Sequence, residues 1–128
     1  MTCVLIVDDD PCVRNAIKKI LRNEAYEIIE AANGCEAVNF FRQTKIDLMI
    51  SDLVMPEKEG IETILEIRQG FPDVKIIAIS GGGKSNTDLY LNMAKDLGAQ
   101  YILSKPFQIA DLLNAVRKLL DQGDHPKK

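Results

Sequence analysis

The stretch Val4-Leu5-Ile6-Val7-Asp8-Asp9-Asp10-Pro11-Cys12-Val13-Arg14-Asn15-Ala16-Ile17-Lys18-Lys19-Ile20-Leu21 changes its hydrophobic period once. Val4 to Val7 is an unbroken aliphatic run, as expected of a short strand buried on both faces. From Val13 onward the apolar residues fall at i, i+3, i+4, i+7 and i+8 (Val13, Ala16, Ile17, Ile20, Leu21), the stripe of an amphipathic helix. Between them, Asp10 supplies a carboxylate for the unpaired N–H groups of a first helical turn, and Pro11 has a φ preset for the first helical position.

The same switch recurs along the chain. Tyr26 to Ala31 reads as a second strand, and Asn33 with Glu36 three residues on reads as a capping box. The helix behind it carries Ala37, Val38, Phe40 and Phe41. A third strand spans Asp47 to Ser51. A loop from Asp52 to Gly60, containing Pro56, leads into a helix marked by Ile61, Ile64, Leu65 and Ile67 and stopped by Gly70 and Pro72. Val74 to Ile79 is a fourth strand, followed by Ser80 and three glycines. Leu89, Met93 and Leu97 fit a fourth helix with Gly98 as its cap. Tyr101 to Leu103 is a fifth strand. After Lys105-Pro106, a fifth helix carries Ile109, Leu112, Leu113, Val116, Leu119 and Leu120. Five strand–helix units predict an α/β fold, a parallel sheet with helices on both faces and right-handed crossovers.

At 128 residues the chain fits one domain, predicted over 1–121 with a polar tail at 122–128. With 46% hydrophobic residues it can bury a core without disulfides or a structural metal. Acidic residues outnumber basic ones 19 to 16, a net charge of −3, which argues against binding a nucleic-acid backbone directly. No apolar stretch approaches the ~18 residues of a membrane span. Cys3, Cys12 and Cys35 lack metal-ligand or redox spacing and are expected to be reduced, packed thiols of a cytoplasmic protein.

In open parallel sheets, ligands bind beyond the carboxyl ends of the strands. Here those ends carry Asp8-Asp9-Asp10, Ser51-Asp52, Ser80 and Ser104-Lys105-Pro106, whereas the second strand contributes only Ala32-Asn33-Gly34. Two ionised carboxylates ~5 Å apart at an effective dielectric of ~20 repel by roughly 3 kcal/mol, so stability alone does not explain the gathering. A divalent cation resolves the repulsion, and hard oxygen donors in an open site suit Mg²⁺. Lys105 adds a point charge for a phosphoryl group and Ser80 a neutral donor. An aspartate in such company is a competent nucleophile for phosphorus.

Four patterns together carry a family resemblance. They are Val4 to Pro11; Asp47-Leu48-Met49-Ile50-Ser51-Asp52-Leu53-Val54-Met55-Pro56 with Gly60; Ile77-Ala78-Ile79-Ser80-Gly81; and Gly98-Ala99 to Lys105-Pro106-Phe107. Over residues 3–121 the chain resembles the receiver domain of bacterial two-component response regulators, in particular the single-domain, chemotaxis-regulator kind. The resemblance implies a flavodoxin-like sheet of order 2-1-3-4-5. It implies Asp52 as phosphoacceptor. It also implies Mg²⁺ held by Asp8, Asp9, Asp52 and the backbone carbonyl of Val54, with Asp9 binding directly and Asp8 mainly through water. Lys105 and Ser80 would contact the phosphoryl group, and a cis peptide at Pro106 would aim the lysine. The donor would be a phosphohistidine on a sensor histidine kinase or a histidine phosphotransfer protein. The readout on a downstream protein would pass through the fourth helix, fifth strand and fifth helix, with no other enzymatic activity.

Two positions depart from the family pattern. Ile102 stands where the family usually has Tyr or Phe, and strand alternation points the neighbouring Tyr101 to the opposite face. Gly81 replaces a commoner small alanine after Ser80, and the run Gly81-Gly82-Gly83 reads either as a turn or as an unusually mobile loop. Other chemistries match less well. Ala78-Ile79-Ser80-Gly81-Gly82-Gly83-Lys84-Ser85 lacks the first glycine of a P-loop. A haloacid-type phosphatase needs Thr where Cys12 stands. A flavodoxin-type flavin site needs a hydroxyl-rich phosphate loop where three aspartates stand. A receiver that binds its partner without being phosphorylated is the remaining alternative. His125, the only histidine, falls in the tail.

Overall fold

The computed structural model describes residues 2–22, 24–52, 59–80, 96, 98–104 and 107–124. Its elements are β1 (Cys3–Val7), α1 (Pro11–Ile20), β2 (Glu27–Ala31), α2 (Gly34–Gln43), β3 (Leu48–Asp52), α3 (Glu59–Gly70), β4 (Lys75–Ser80), β5 (Tyr101–Ser104) and α4 (Ile109–Asp124). The strands form one parallel sheet of order β2-β1-β3-β4-β5. This is the expected doubly wound α/β architecture. Of the helix expected over Leu89 to Leu97 only Asp96 is described, and it is helical; Lys105 and Pro106 lie outside the described residues.

Alternation along the strands divides the interior into two cores. Val4, Ile6, Leu48, Ile50, Ile77 and Ile79 meet Ile17 and Leu21 at the α1 end and Leu112, Ala115, Val116 and Leu119 of α4. Leu5, Val7, Met49, Ile76 and Ala78 meet Ala37, Val38 and Phe41 of α2 and Ile64 and Ile67 of α3. Every residue of β1 and β3 is buried, including the polar Ser51 and Asp52 at the end of β3. The outer strands β2 and β5 are only partly covered, because each has a neighbour on one side alone. Tyr101 packs toward the α1–α4 side and Ile102 toward the α2–α3 side, as alternation predicts.

Several local expectations are corrected. Asp52 is the last residue of β3 and not the first of a loop, and Glu59 and Gly60 already belong to α3. The last helix runs on as far as Asp124, into the stretch expected as a polar tail. Only Cys3 is a packed thiol; Cys12 and Cys35 occupy the outward sides of the first turns of α1 and α2 and are exposed. Ala16, Leu65 and Ile109 follow the helical period yet face solvent, because each lies at the margin of its stripe.

Candidate functional site

The parallel register brings the strand ends level. Val7 pairs with Ala31 and Ser51, Asp52 with Ile79, Ile79 with Leu103, and Ser80 with Ser104. The chain therefore leaves β1 at Asp8 beside the end of β3 at Asp52, without an intervening strand. Asp8 and Asp52 are buried, at 2% and 4% exposure, whereas Asp9 is exposed. One carboxylate oxygen from each of the three lies within 4.8 Å of the others. The sequence-predicted acids thus converge, two under cover and one open to arriving groups.

The turn holding these acids is built locally. Asp8 Oδ1 accepts from the Asp10 backbone N–H at 2.9 Å, and Asp10 Oδ1 accepts from Cys12 N–H at 2.9 Å, making Asp10 the N-cap of α1. Pro11 follows at the first helical position, as expected. The Asp8 N–H donates to the Ala31 carbonyl at 3.2 Å and so ties the turn to β2.

The donor set fits a hard divalent cation. All three groups offer oxygen, and none offers sulfur or imidazole. Mg²⁺ binds oxygen at about 2.1 Å, so opposite ligands of an octahedral ion stand about 4.2 Å apart, close to the spread of these oxygens. Slight side-chain rotation, or water between one carboxylate and the ion, closes the difference.

Ser80 is the last residue of β4, level with Ser104 of β5, while its side chain lies outside the described residues. Val54, Lys105, Pro106 and the near-P-loop beyond Ser80 lie outside them as well. A cavity of about 680 Å³ opens at the other end of the sheet, beside Thr2, Asp47, Phe71 and Lys75, and includes none of the three acids. The three carboxylates, and not this cavity, mark the candidate site.

One part of the arrangement was not read from sequence. Arg14 Nη1 donates to the Asp8 carbonyl at 2.7 Å, and Arg14 Nε pairs with Glu30 at 3.1 Å. Lys18 pairs with the other Glu30 oxygen at 3.0 Å. Hydrogen bonds from Lys18 and then Arg14 hold the Glu30 carboxyl below its ordinary value. The only sequence signal is that Arg14 and Lys18, four apart, share a helix face.

Residues 4–117 match the response regulator receiver domain family. The chain belongs to that family. Chemotaxis protein CheY of Thermotoga maritima is 38% identical over 117 residues, covering 91% of this receiver domain and 95% of that protein. Sensor kinase CckA of Brucella abortus is 32% identical over 123 residues, and there the receiver domain spans only 13% of the relative's length. A CheY-like receiver domain protein from Methanospirillum hungatei JF-1, known from its crystal structure, has a TM-score of 0.85 at 27% identity over 99% of each chain. Receiver domains are signalling modules of two-component systems that interact with sensor histidine kinases. Among the described residues of this one, no helix is long and apolar enough to cross a membrane.

Proposed function

We propose that this receiver domain is a phosphoacceptor whose Asp52 takes a phosphoryl group from a phosphohistidine and thereby changes its affinity for a protein partner. The observation that carries this is the convergence of Asp8, Asp9 and Asp52 within 4.8 Å at the carboxyl end of the sheet, with Asp52 at its centre. An Asp52 oxygen forms the bond to phosphorus as the bond from phosphorus to the donor's imidazole nitrogen breaks. By the family resemblance, Asp9 would hold Mg²⁺ directly and Asp8 mainly through water, with Asp52 and the Val54 carbonyl as the remaining protein donors. Bound Mg²⁺ supplies positive charge that offsets the crowded carboxylates and the phosphoryl oxygens. By the same resemblance, Lys105 and Ser80 would contact the phosphoryl oxygens.

The donor is a sensor histidine kinase or a histidine phosphotransfer protein in the cytoplasm. The response passes to a downstream protein through the segment around Leu89 to Leu97 together with β5 and α4, a population shift of a two-state element. Ile109, 63% exposed at the start of α4, gives that face an apolar point of contact. Ile102 replaces the usual aromatic, so the shift runs without an aromatic rotamer at that position.

Intact-mass measurement tests the assignment. With Mg²⁺ and acetyl phosphate the protein gains the mass of one phosphoryl group, and Asp52→Ala does not. The same gain in Asp52→Ala would overturn it.

A further inference from the structure

Arg14 joins three elements at the rim of the acidic site. It belongs to α1, its Nη1 holds the carbonyl of Asp8 just past β1, and its Nε holds Glu30 in β2. The guanidinium is a rigid fork, so one side chain serves both partners in a single orientation. Its side chain is only 17% exposed, and Lys18 fixes the far oxygen of Glu30. The held carbonyl belongs to Asp8 itself and precedes Asp9 in the chain, so Arg14 restrains the peptide from which both acids project.

We propose that Arg14 is a positioning residue for divalent-cation binding, holding Asp8 and Asp9 in register with Asp52 while Glu30 orients it. The inference rests on the reading of the three acids as a Mg²⁺ site. Charge and position make opposite demands here. Arg14 is a cation beside a cation site, so charge alone says that its removal tightens Mg²⁺ binding. Loss of the clamp frees the turn and weakens binding.

Calorimetric titration of Mg²⁺ into the whole chain separates the two effects, with thermal melting in chelator as the check on folding. Arg14→Met is expected to bind Mg²⁺ about tenfold more weakly, the low end of what groups behind metal ligands contribute. Arg14→Lys keeps the charge but cannot hold both partners with one planar fork, so its affinity falls between the two. Should Arg14→Met fail to fold, Arg14→Lys decides alone, because charge predicts no change there. Wild-type or tighter affinity in the folded variant overturns the positioning role. Asp9→Ala is the parallel arm, expected to lose Mg²⁺ binding. If it binds like wild type, or wild type binds none, the Mg²⁺ reading of the site fails and this inference with it.

Discussion

Gly98 shows at the residue scale what one position can reveal. Sequence marks it as a helix cap, and it has φ 103°, in the left-handed region that favours glycine. A Cβ there would sit 2.9 Å from Arg68 Nε. Arg68 donates through Nη1 to the carbonyls of Pro72 (2.6 Å) and Val74 (2.9 Å), and through Nη2 to that of Gly98 (2.9 Å). It thereby pins the approach to β4 and the approach to β5 together. Gly98→Ala is expected to lower unfolding stability by about 1–3 kcal/mol, read as a lower urea midpoint at unchanged slope. An unchanged midpoint would contradict the strain. The glycine was legible because its conformational demand is local. The Arg68 bridge to Gly98 was not, because those two residues lie 30 apart in the chain. The same contrast holds in the site. Asp8, Asp9 and Asp52 could be found because they follow apolar runs, whereas the Arg14–Glu30 pair joins a helix to a strand across 16 residues.

Among the elements, caps were more legible than margins. Asn33 caps α2 as expected, its Oδ1 accepting from Glu36 N–H at 2.9 Å. The reciprocal bond differs from the expected box: Glu36 Oε1 accepts from Ala32 N–H at 2.8 Å, one residue before the cap. Asn33→Ala should cost about 1 kcal/mol, measurable as a lower melting temperature. Since Asn33 is outside the acidic cluster, Mg²⁺ affinity is expected to stay at the wild-type value. A stripe drawn from period alone counts Ala16 and Ile109 as core, because periodicity gives a direction and not the width of the neighbour that must cover it. Ile17 and Leu21, at the centre of the same α1 stripe, are buried.

At the scale of the whole molecule, two tied carboxyls and one thiol among the described residues make stability depend on pH. Hydrogen bonding to Arg117 holds Glu24 below its ordinary 4.5, and Glu30 is lowered by Lys18 and Arg14. Their contribution is present above pH 4.5 and is lost as pH falls through the lowered folded values. Burial, with Glu27 and Asp47 adding to it, raises the Cys3 thiol above 9.0, so that contribution is complete below pH 9.0 and fades as pH rises through the folded value. Urea melts across pH should therefore show a plateau between these limits. Arg117→Ala should flatten the acid limb; an acid limb as steep as wild type would rule out the Glu24 pair as its source. Arg117 lies on α4 and Glu24 just before β2, 93 residues apart, so sequence alone could not reveal this pair.

Burial of β1 and β3 on both faces leaves a problem of reading frame. A slip of one residue along either strand would still set aliphatic against aliphatic, because both sides of the sheet are greasy. Polar residues at the strand ends act as punctuation. Asp47, before β3, accepts from the Cys3 N–H at 2.9 Å, and the Asp8 N–H donates to Ala31 at 3.2 Å. A slipped strand would drag one of these carboxylates into an oily layer, a penalty that no exchange of Val for Leu offsets. The polar residues at the strand ends thus also spell out how the sheet assembles, so a change at Asp8 can act on folding as well as on the proposed metal site.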